Sequence, residues 1–147
     1  EYRRDIAGTS GIEYLSTVCK NDADIKNLCT AFRLKRRKAL PENAENFFYD
    51  GGAISVPDLM LFVKEPEKAK KALSATEYGT LALELADKKA SPSECEKALE
   101  EKYYAGLMKV KDDIFGSGKV VAYAILYEKW LCDLRLLLTA KKVGKTI

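Results

Sequence analysis

Apolar side chains recur every three or four residues along most of this chain, which is the spacing of helices with one buried face. No segment gives the alternating pattern from which a strand would be predicted. We therefore predict an all-α fold. The clearest stretch lies between residues 22 and 38, where the apolar positions are Ile25, Leu28, Cys29, Phe32 and Leu34.

Capping residues and small-residue turns divide this pattern into seven predicted helices. Ser10 can begin a first helix that ends at Lys20, and Asn21 or Asp22 can begin a second that ends at about Lys38. A loop is expected over residues 39–53, which contain Pro41 and the pair Gly51-Gly52. The remaining helices are predicted over residues 55–64, 66–74, 76–89, 91–115 and 119–143.

The segment Ser91-Pro92-Ser93-Glu94 is the strongest local signal, because it combines a serine cap, proline at the first helical position and the glutamate of a capping box. Two buried faces are predicted near it. The preceding helix is expected to bury Leu81 and Leu85. The helix that begins here is expected to bury Cys95, Leu99, Tyr103, Leu107, Val110 and Ile114.

The last predicted helix is apolar nearly all round as far as Tyr127. Glu128, Lys129, Asp133 and Arg135 follow, so we predict a long central helix of a soluble domain rather than a membrane span. Asp133 and Arg135 are unusual on such a helix. Each must be paired or reach the surface, which predicts either a structural ion pair or an interface anchor.

Composition removes several kinds of active site. The chain has 147 residues and no histidine, which excludes Ser–His and Cys–His nucleophile pairs and imidazole metal ligands. The four cysteines form no Cys-x-x-Cys pair, and although two disulfides are formally possible we expect buried, reduced thiols in a reducing, cytosolic compartment. Gly118-Lys119 and Gly144-Lys145 lack the preceding strand and glycine of a phosphate-binding loop, so Gly144 is predicted to be a helix C-cap. No cofactor or metal is expected.

Charge is concentrated at one place. Residues 33–38 carry five positive charges in six positions, within a chain whose net charge is only +3. They can contact phosphates or an acidic protein surface, or they can simply stabilise a helix C-terminus. No second basic stripe accompanies them, so nucleic acid is not an expected partner. The candidate interface or ion-pair residues are Arg33, Lys35, Arg36, Arg37, Asp133 and Arg135.

The carboxylates are expected on solvated helix faces, with lysine partners such as Glu65–Lys68 and Glu94–Lys97. A weak internal repeat appears when the second helix is laid on the last with a shift of 106 residues, so that Asn27 falls on Asp133. The repeat predicts a module arranged head to tail. Residues 1–38 would end a preceding module and residues 39–147 would form one module, within a longer parent chain.

Five short elements follow one another along nearly the whole chain. They are Asp24-Ile25-Lys26-Asn27-Leu28 with Lys35 downstream, Gly51-Gly52 before a short apolar helix, Thr76-Glu77-Tyr78-Gly79, Glu100-Glu101-Lys102-Tyr103-Tyr104, and Tyr127-Glu128-Lys129 with Asp133-Leu134-Arg135. Their order resembles that in the C-type subunits of the archaeal and bacterial V-type (A-type) rotary ATP synthases, whose counterpart in the eukaryotic vacuolar enzyme is the d-type. Asp133 departs from the pattern, which usually has asparagine there.

The resemblance implies one module of an all-helical, funnel-shaped subunit that has three modules and no catalytic activity. Such a subunit would lie on the cytoplasmic face of the proteolipid rotor ring and receive the tip of the central stalk. It would transmit torque between nucleotide-driven rotation and ion transport, and it would meet the membrane only through the complex. Neither the ion nor the direction of the reaction follows from the sequence.

A rival function from another class remains open. The chain could be a stand-alone helical adaptor whose basic run at residues 33–38 grips an acidic or phosphate surface. An enzyme is a distant third interpretation, because no set of residues suggests a reaction.

Overall fold

Helices make up most of the chain in a computed structural model, which describes residues 13–37, 40–111 and 118–144. Within these residues there is no strand, so the predicted all-α class is confirmed. A 3₁₀ helix spans Ala44–Phe47. The described ranges contain six α-helices: α1 (Glu13–Lys35), α2 (Val56–Lys64), α3 (Pro66–Leu73), α4 (Glu77–Asp87), α5 (Pro92–Lys111) and α6 (Gly118–Lys142).

The first two predicted helices are one helix, and the predicted break at residues 20–22 is wrong. α1 continues through Asn21 and Asp22, although both residue types often cap helices. Asp22 instead accepts a salt bridge of 2.7 Å from Lys26, four residues later on the same face. No glycine or proline interrupts the segment, so nothing forces the helix to end there. The predicted start at Ser10 lies outside the described residues.

The predicted starts of α2, α4 and α5 agree with the structure. α1 ends at Lys35 rather than at about Lys38, and the predicted end of α5 near residue 115 lies outside the described residues. The hydroxyl of Ser55 accepts a hydrogen bond from Asp58 N, and that of Thr76 accepts one from Gly79 N. Ser91 N donates to the Glu94 carboxylate at 2.7 Å, while Glu94 N donates to Ser91 Oγ at 3.2 Å, which closes the predicted capping box. Gly144 has a φ of 72°, as its predicted role as a C-cap requires.

Of the two ion pairs predicted on solvated faces, one is confirmed. Glu65 and Lys68 lie 2.6 Å apart. The predicted pair between Glu94 and Lys97 is wrong, because the Glu94 carboxylate is held by the cap and Lys97 lies 3.9 Å from Glu101 instead.

Residue contacts divide the chain into two units, residues 1–103 and 104–147, with the boundary inside α5. In the first unit, α1 packs against α2 and α4, and α3 packs against the same two helices. Phe32 of α1 meets Phe62 of α2 edge to face, with ring centroids 5.5 Å apart. All five apolar positions predicted to be buried between residues 22 and 38 are buried.

The buried face of α4 differs from the prediction. Tyr78, Ala82 and Leu83 are buried, whereas Leu81 and Leu85 are half-buried. The face is rotated because Gly79 lies against the end of α3 and turns its side of the helix inward. On α5, Cys95, Leu99, Tyr103 and Leu107 are buried as predicted; Val110 is half-buried and Ile114 lies outside the described residues.

In the second unit, α6 exposes most of its apolar side chains. Among its described residues only Ala122 is buried. The rings of Tyr123 and Tyr127 stack with centroids 6.5 Å apart, and Lys129 Nζ lies 4.7 Å from the ring centroid of Tyr104. The proposal that α6 is the central helix of a module stays a prediction.

The cysteines fall into two classes by burial, and none of the four, all of which the structure describes, forms a disulfide. Cys29 and Cys95 are buried as expected, and burial raises the pKa of Cys29 to about 11. The expectation that all four are buried is wrong, because Cys19 is half-buried and Cys132 is exposed on α6.

The end of α4 holds a lysine where glycine is usual. Ala90 N donates to Leu85 O and Lys89 N donates to Ala86 O, which is the hydrogen-bond pattern of a Schellman motif. Lys89 therefore has a left-handed conformation with a φ of 54°. A side chain in this region is strained by roughly 1 kcal/mol relative to glycine.

We expect Lys89→Gly to raise the free energy of unfolding by about 0.5–1 kcal/mol, because glycine adopts this φ without strain. Urea unfolding followed by circular dichroism measures the change. Lys88→Gly is the control, because Lys88 has an ordinary helical φ of −74° and glycine should not stabilise it. Stabilisation equal to or smaller than that of the control would contradict the assignment of strain to Lys89.

Candidate functional site

The carboxylate of Asp24 is buried on α1 and binds the loop that precedes α2. Its two oxygens accept hydrogen bonds from Ala53 N at 3.1 Å and from Ile54 N at 3.0 Å. Only 1% of the residue is exposed. Desolvation raises the pKa of Asp24, while the hydrogen bonds from Ile54 and Ala53 act in the opposite direction.

Asn27 lies one turn further along α1 and binds the same loop. Its Nδ2 donates to Tyr49 O at 2.9 Å, and its Oδ1 accepts from Tyr49 N at 2.7 Å. The side-chain amide thus pairs with both polar groups of one backbone residue. Because Asn27 is fully buried, these bonds satisfy groups that would otherwise be costly to remove from water.

The two glycines of this loop allow its close approach to α1. Gly51 has a φ of 93°, a conformation that glycine adopts readily. A Cβ added to Gly52 would overlap Oδ1 of Asp24. We call Asp24, Asn27 and the loop residues 49–54 the loop clamp. The sequence shows the Asp24–Leu28 segment and the Gly51-Gly52 pair but does not indicate that they are in contact. The one sign of a contact is that Asp24 and Asn27 are polar residues on the buried face of α1, where polar groups must have hydrogen-bond partners.

The segment Thr76-Glu77-Tyr78-Gly79 forms a second tight junction. Thr76 Oγ1 accepts a hydrogen bond of 3.0 Å from Gly79 N, and Tyr78 is buried. A Cβ added to Gly79 would overlap the backbone carbonyl of Leu73 at the end of α3. Burial also raises the pKa of Tyr78 to about 12.

The basic run begins with an ion pair. Arg33 Nη2 donates to both carboxylate oxygens of Glu96 on α5, at 2.9 and 2.7 Å. Its hydrogen bond and the charge of Glu96 raise the pKa of Arg33 further above its high normal value. Both side chains remain partly exposed, so the pair contributes about 1 kcal/mol or less. Lys35 Nζ lies 5.0 Å from the ring centroid of Phe62.

The remaining basic residues differ from Arg33. Arg36 and Arg37 are exposed just beyond α1, and Lys38 lies outside the described residues. Arg33 and Lys35 therefore lie in the last turn of α1, Arg36 follows directly, and one of the three is bound to a carboxylate. An interface role for these residues stays a prediction.

The comparison with protein families identifies the chain. A family model described as the ATP synthase (C/AC39) subunit matches residues 2–145. The chain belongs to the ATP synthase C/AC39 subunit family. No curated protein and no solved structure matches it.

The loop clamp and the junction formed by residues 76–79 contain several of the short sequence elements by which the chain resembles this family. The structure shows what the residues of these elements do in the fold. Asp24 and Asn27 bond to backbone, Thr76 caps a helix, and Gly52 and Gly79 let chain segments approach closely. In this C/AC39 chain these residues fix the positions of α1, α2, α3 and α4.

On α6, Asp133 lies 3.2 Å from Lys129, one turn earlier, and Arg135 is exposed. Asn27 is buried, whereas Asp133 is exposed, so the two positions of the repeat have different environments in this C/AC39 chain. Their equivalence stays a prediction.

Two further observations hold for the part of the chain that the structure describes. No three Cys, Asp or Glu side chains there are grouped so as to hold a metal ion. None of the helices there combines the length and apolar character needed to cross a membrane.

Proposed function

We propose that this C/AC39 chain is a non-catalytic coupling subunit of a V/A-type rotary ATPase, linking the central stalk to the proteolipid rotor ring. The observation that carries the proposal is the family match over residues 2–145. In this role the protein would be peripheral on the cytoplasmic side of the complex. It would couple ion transport to ATP synthesis or hydrolysis without binding a cofactor.

The geometry of the motifs supports a mechanical role. A part that transmits torque must keep its helices in fixed positions under load. The loop clamp binds α1 to the loop before α2 through four hydrogen bonds between side chains and backbone. Gly79 lets α4 lie directly against the end of α3. These features favour rigidity within the first unit.

We further propose that the chain is one module of a longer, funnel-shaped subunit, with residues 1–38 ending one module and residues 39–147 forming the next. The support is the repeat at a shift of 106 residues and the architecture that the family resemblance implies. The loop clamp joins both sides of this boundary, as consecutive modules in a solenoid-like array would be joined.

Co-purification tests membership of the complex. The native protein is tagged in its source cells, and membranes are extracted in a mild detergent. Mass spectrometry of the purified material is expected to identify catalytic, stalk and ring subunits of an ATPase together with a parent of about three modules. An untagged strain is the control. Purification without any other part of an ATPase would contradict the proposal.

The exposed arginines keep the adaptor as a second candidate. In the adaptor role, the basic run would bind an acidic or phosphate surface by itself. The double variant Arg36→Ala with Arg37→Ala should then lower the affinity for that surface, and the affinity should depend less steeply on salt concentration. Lys64→Ala with Lys71→Ala is the matched control, because it removes the same charge from exposed positions elsewhere. Equal salt slopes for both double variants would exclude the adaptor.

A further inference from the structure

A small cavity lies beside the C-terminal ends of α1 and α4. It has a volume of about 210 Å³ and lies entirely within the first unit. Its apolar lining comes from Phe32, Ala86 and Ala90, and its charged lining comes from Lys35, Arg36 and Lys89. The cavity is therefore an apolar hollow with three cationic side chains around it.

The local positive charge exceeds what the helix ends require. Each helix C-terminus carries roughly half a negative charge, so two of them offset about one of the three cations. The capping bonds to Ser91, and more weakly the charge of Arg36, hold the pKa of Glu94 below its usual range. Because the cap holds the Glu94 carboxylate, about two of the three positive charges remain in excess.

Among the described residues, no salt bridge neutralises the three cationic side chains around the cavity. The salt bridges there include Arg33–Glu96 but none to Lys35, Arg36 or Lys89. Lys35 lies over the Phe62 ring instead. Lys89 has a left-handed backbone conformation that glycine would adopt without strain. A lysine at this position therefore makes the fold less stable than a glycine would. Strain of this kind often marks a residue whose side chain is needed.

The size of the cavity narrows the class of occupant. Pockets for drug-sized molecules and cofactors measure about 300–1,000 Å³, which is larger than this cavity. The cavity has room for one side chain, and its apolar lining suits an apolar residue. Its cationic rim suits carboxylates on either side of that residue. Both features match a protein segment that inserts an apolar residue flanked by carboxylates. Arginine is also enriched at protein interfaces and pairs well with carboxylates.

We propose that this cavity, lined by Phe32, Lys35, Arg36 and Lys89, docks an acidic segment of a partner protein, which inserts one apolar side chain between its carboxylates. The identity of the partner as another subunit of the ATPase rests on the proposed function. The binding chemistry does not, because it follows from the cavity alone.

A peptide titration tests the binding chemistry on the full 147-residue chain. The probe is the blocked peptide Glu-Glu-Leu-Glu-Glu, and amide chemical shifts are followed by nuclear magnetic resonance at low salt. We expect saturable shifts at residues 32–36 and 86–90. The peptide with glutamine in place of glutamate should bind more weakly. Equal binding of the two peptides, shifts elsewhere only, or tighter binding of inorganic phosphate would overturn the proposal.

Two variants separate binding from folding. Arg36→Ala and Lys89→Gly should each weaken peptide binding about fivefold, as expected for the loss of one ion pair. Lys89→Gly should at the same time raise the melting temperature, so its loss of affinity cannot come from unfolding. Lys71→Ala, on an exposed face, is the control and should bind normally. Unchanged affinity of both cavity variants would overturn the proposal.

A photo-cross-linking residue in place of Lys88, which is exposed beside Lys89 in the sequence and does not line the cavity, identifies the partner in the purified native complex. We expect a cross-link to an acidic segment that contains an apolar residue. A cross-link to a basic or uncharged segment would overturn the proposal even if the chain co-purifies with the ATPase. If the peptide binds but no part of an ATPase co-purifies, the proposed function fails and the docking chemistry stands.

Discussion

Asp24→Ala is expected to lower the free energy of unfolding by about 2–4 kcal/mol, because it leaves the amides of Ala53 and Ile54 without a partner in a buried site. Urea unfolding of the full chain measures the loss. Asp22→Ala on the same helix is the matched control; its exposed pair with Lys26 should contribute less than about 1 kcal/mol. Equal losses for the two variants would contradict the loop clamp.

A double-mutant cycle with Gly52→Ala tests the close approach directly. The added Cβ would overlap the Asp24 carboxylate, so the single variant should lose about 1–3 kcal/mol. In the Asp24→Ala background the overlapped atom is gone, and the same change should be much less harmful. We expect a coupling energy of about 0.5–3 kcal/mol. Additive losses would show that the two residues do not meet.

The pH dependence of the loop clamp follows from the raised pKa of Asp24. A carboxyl whose pKa is higher in the folded chain contributes stability that is fully present below its unfolded pKa of about 3.9 and is lost as the pH rises through the folded pKa. The stability difference between wild type and Asp24→Ala should therefore widen as the pH falls from 7 towards 4. A difference that narrows would mean that the hydrogen bonds outweigh desolvation.

Gly79→Ala should also destabilise the chain, by about 1–3 kcal/mol, because the added methyl overlaps a backbone carbonyl that cannot rotate away. Gly106→Ala is the matched control within another helix, where a Cβ would have no neighbour within 4 Å. That change should instead stabilise by about 0.5–1 kcal/mol through helix propensity. Urea unfolding measures the free energy of unfolding of both variants. If both substitutions stabilise the chain, the tight α3–α4 junction is contradicted.

The helix starts could be predicted because their signals are local. Ser55, Thr76 and the Ser91–Glu94 box satisfy amide groups within three residues, so their effect hardly depends on the rest of the fold. The break at residues 20–22 was wrongly predicted because Asn and Asp also occur inside helices when packing holds the helix together. Helix propensity is only a weak guide there.

The candidate site depended on contacts between distant residues, which local patterns do not contain. Asp24 and Asn27 meet residues 22–30 positions away, and the sequence indicated only that they interrupt a buried face. The rotation of α4 has the same origin, since it follows from the contact of Gly79 with α3. The pairing of Arg33 with Glu96 spans 63 residues and was likewise not predicted.

Family membership and the two tight junctions support the proposed function, in which a rigid helical part would link subunits of a rotary ATPase. The cavity beside Lys89 would then be one of its points of attachment. This account separates the residues that hold the helices together, such as Asp24 and Gly79, from those that would contact partners, such as Arg36 and Lys89.

The most direct test of the coupling role compares ATP hydrolysis with ion pumping in membrane vesicles from cells that lack this protein. A voltage-sensitive dye detects transport of whichever cation the complex moves. We predict that hydrolysis continues while the dye signal per ATP is lost, and that adding back the purified protein restores it. Full pumping per ATP in vesicles without the protein would contradict the account.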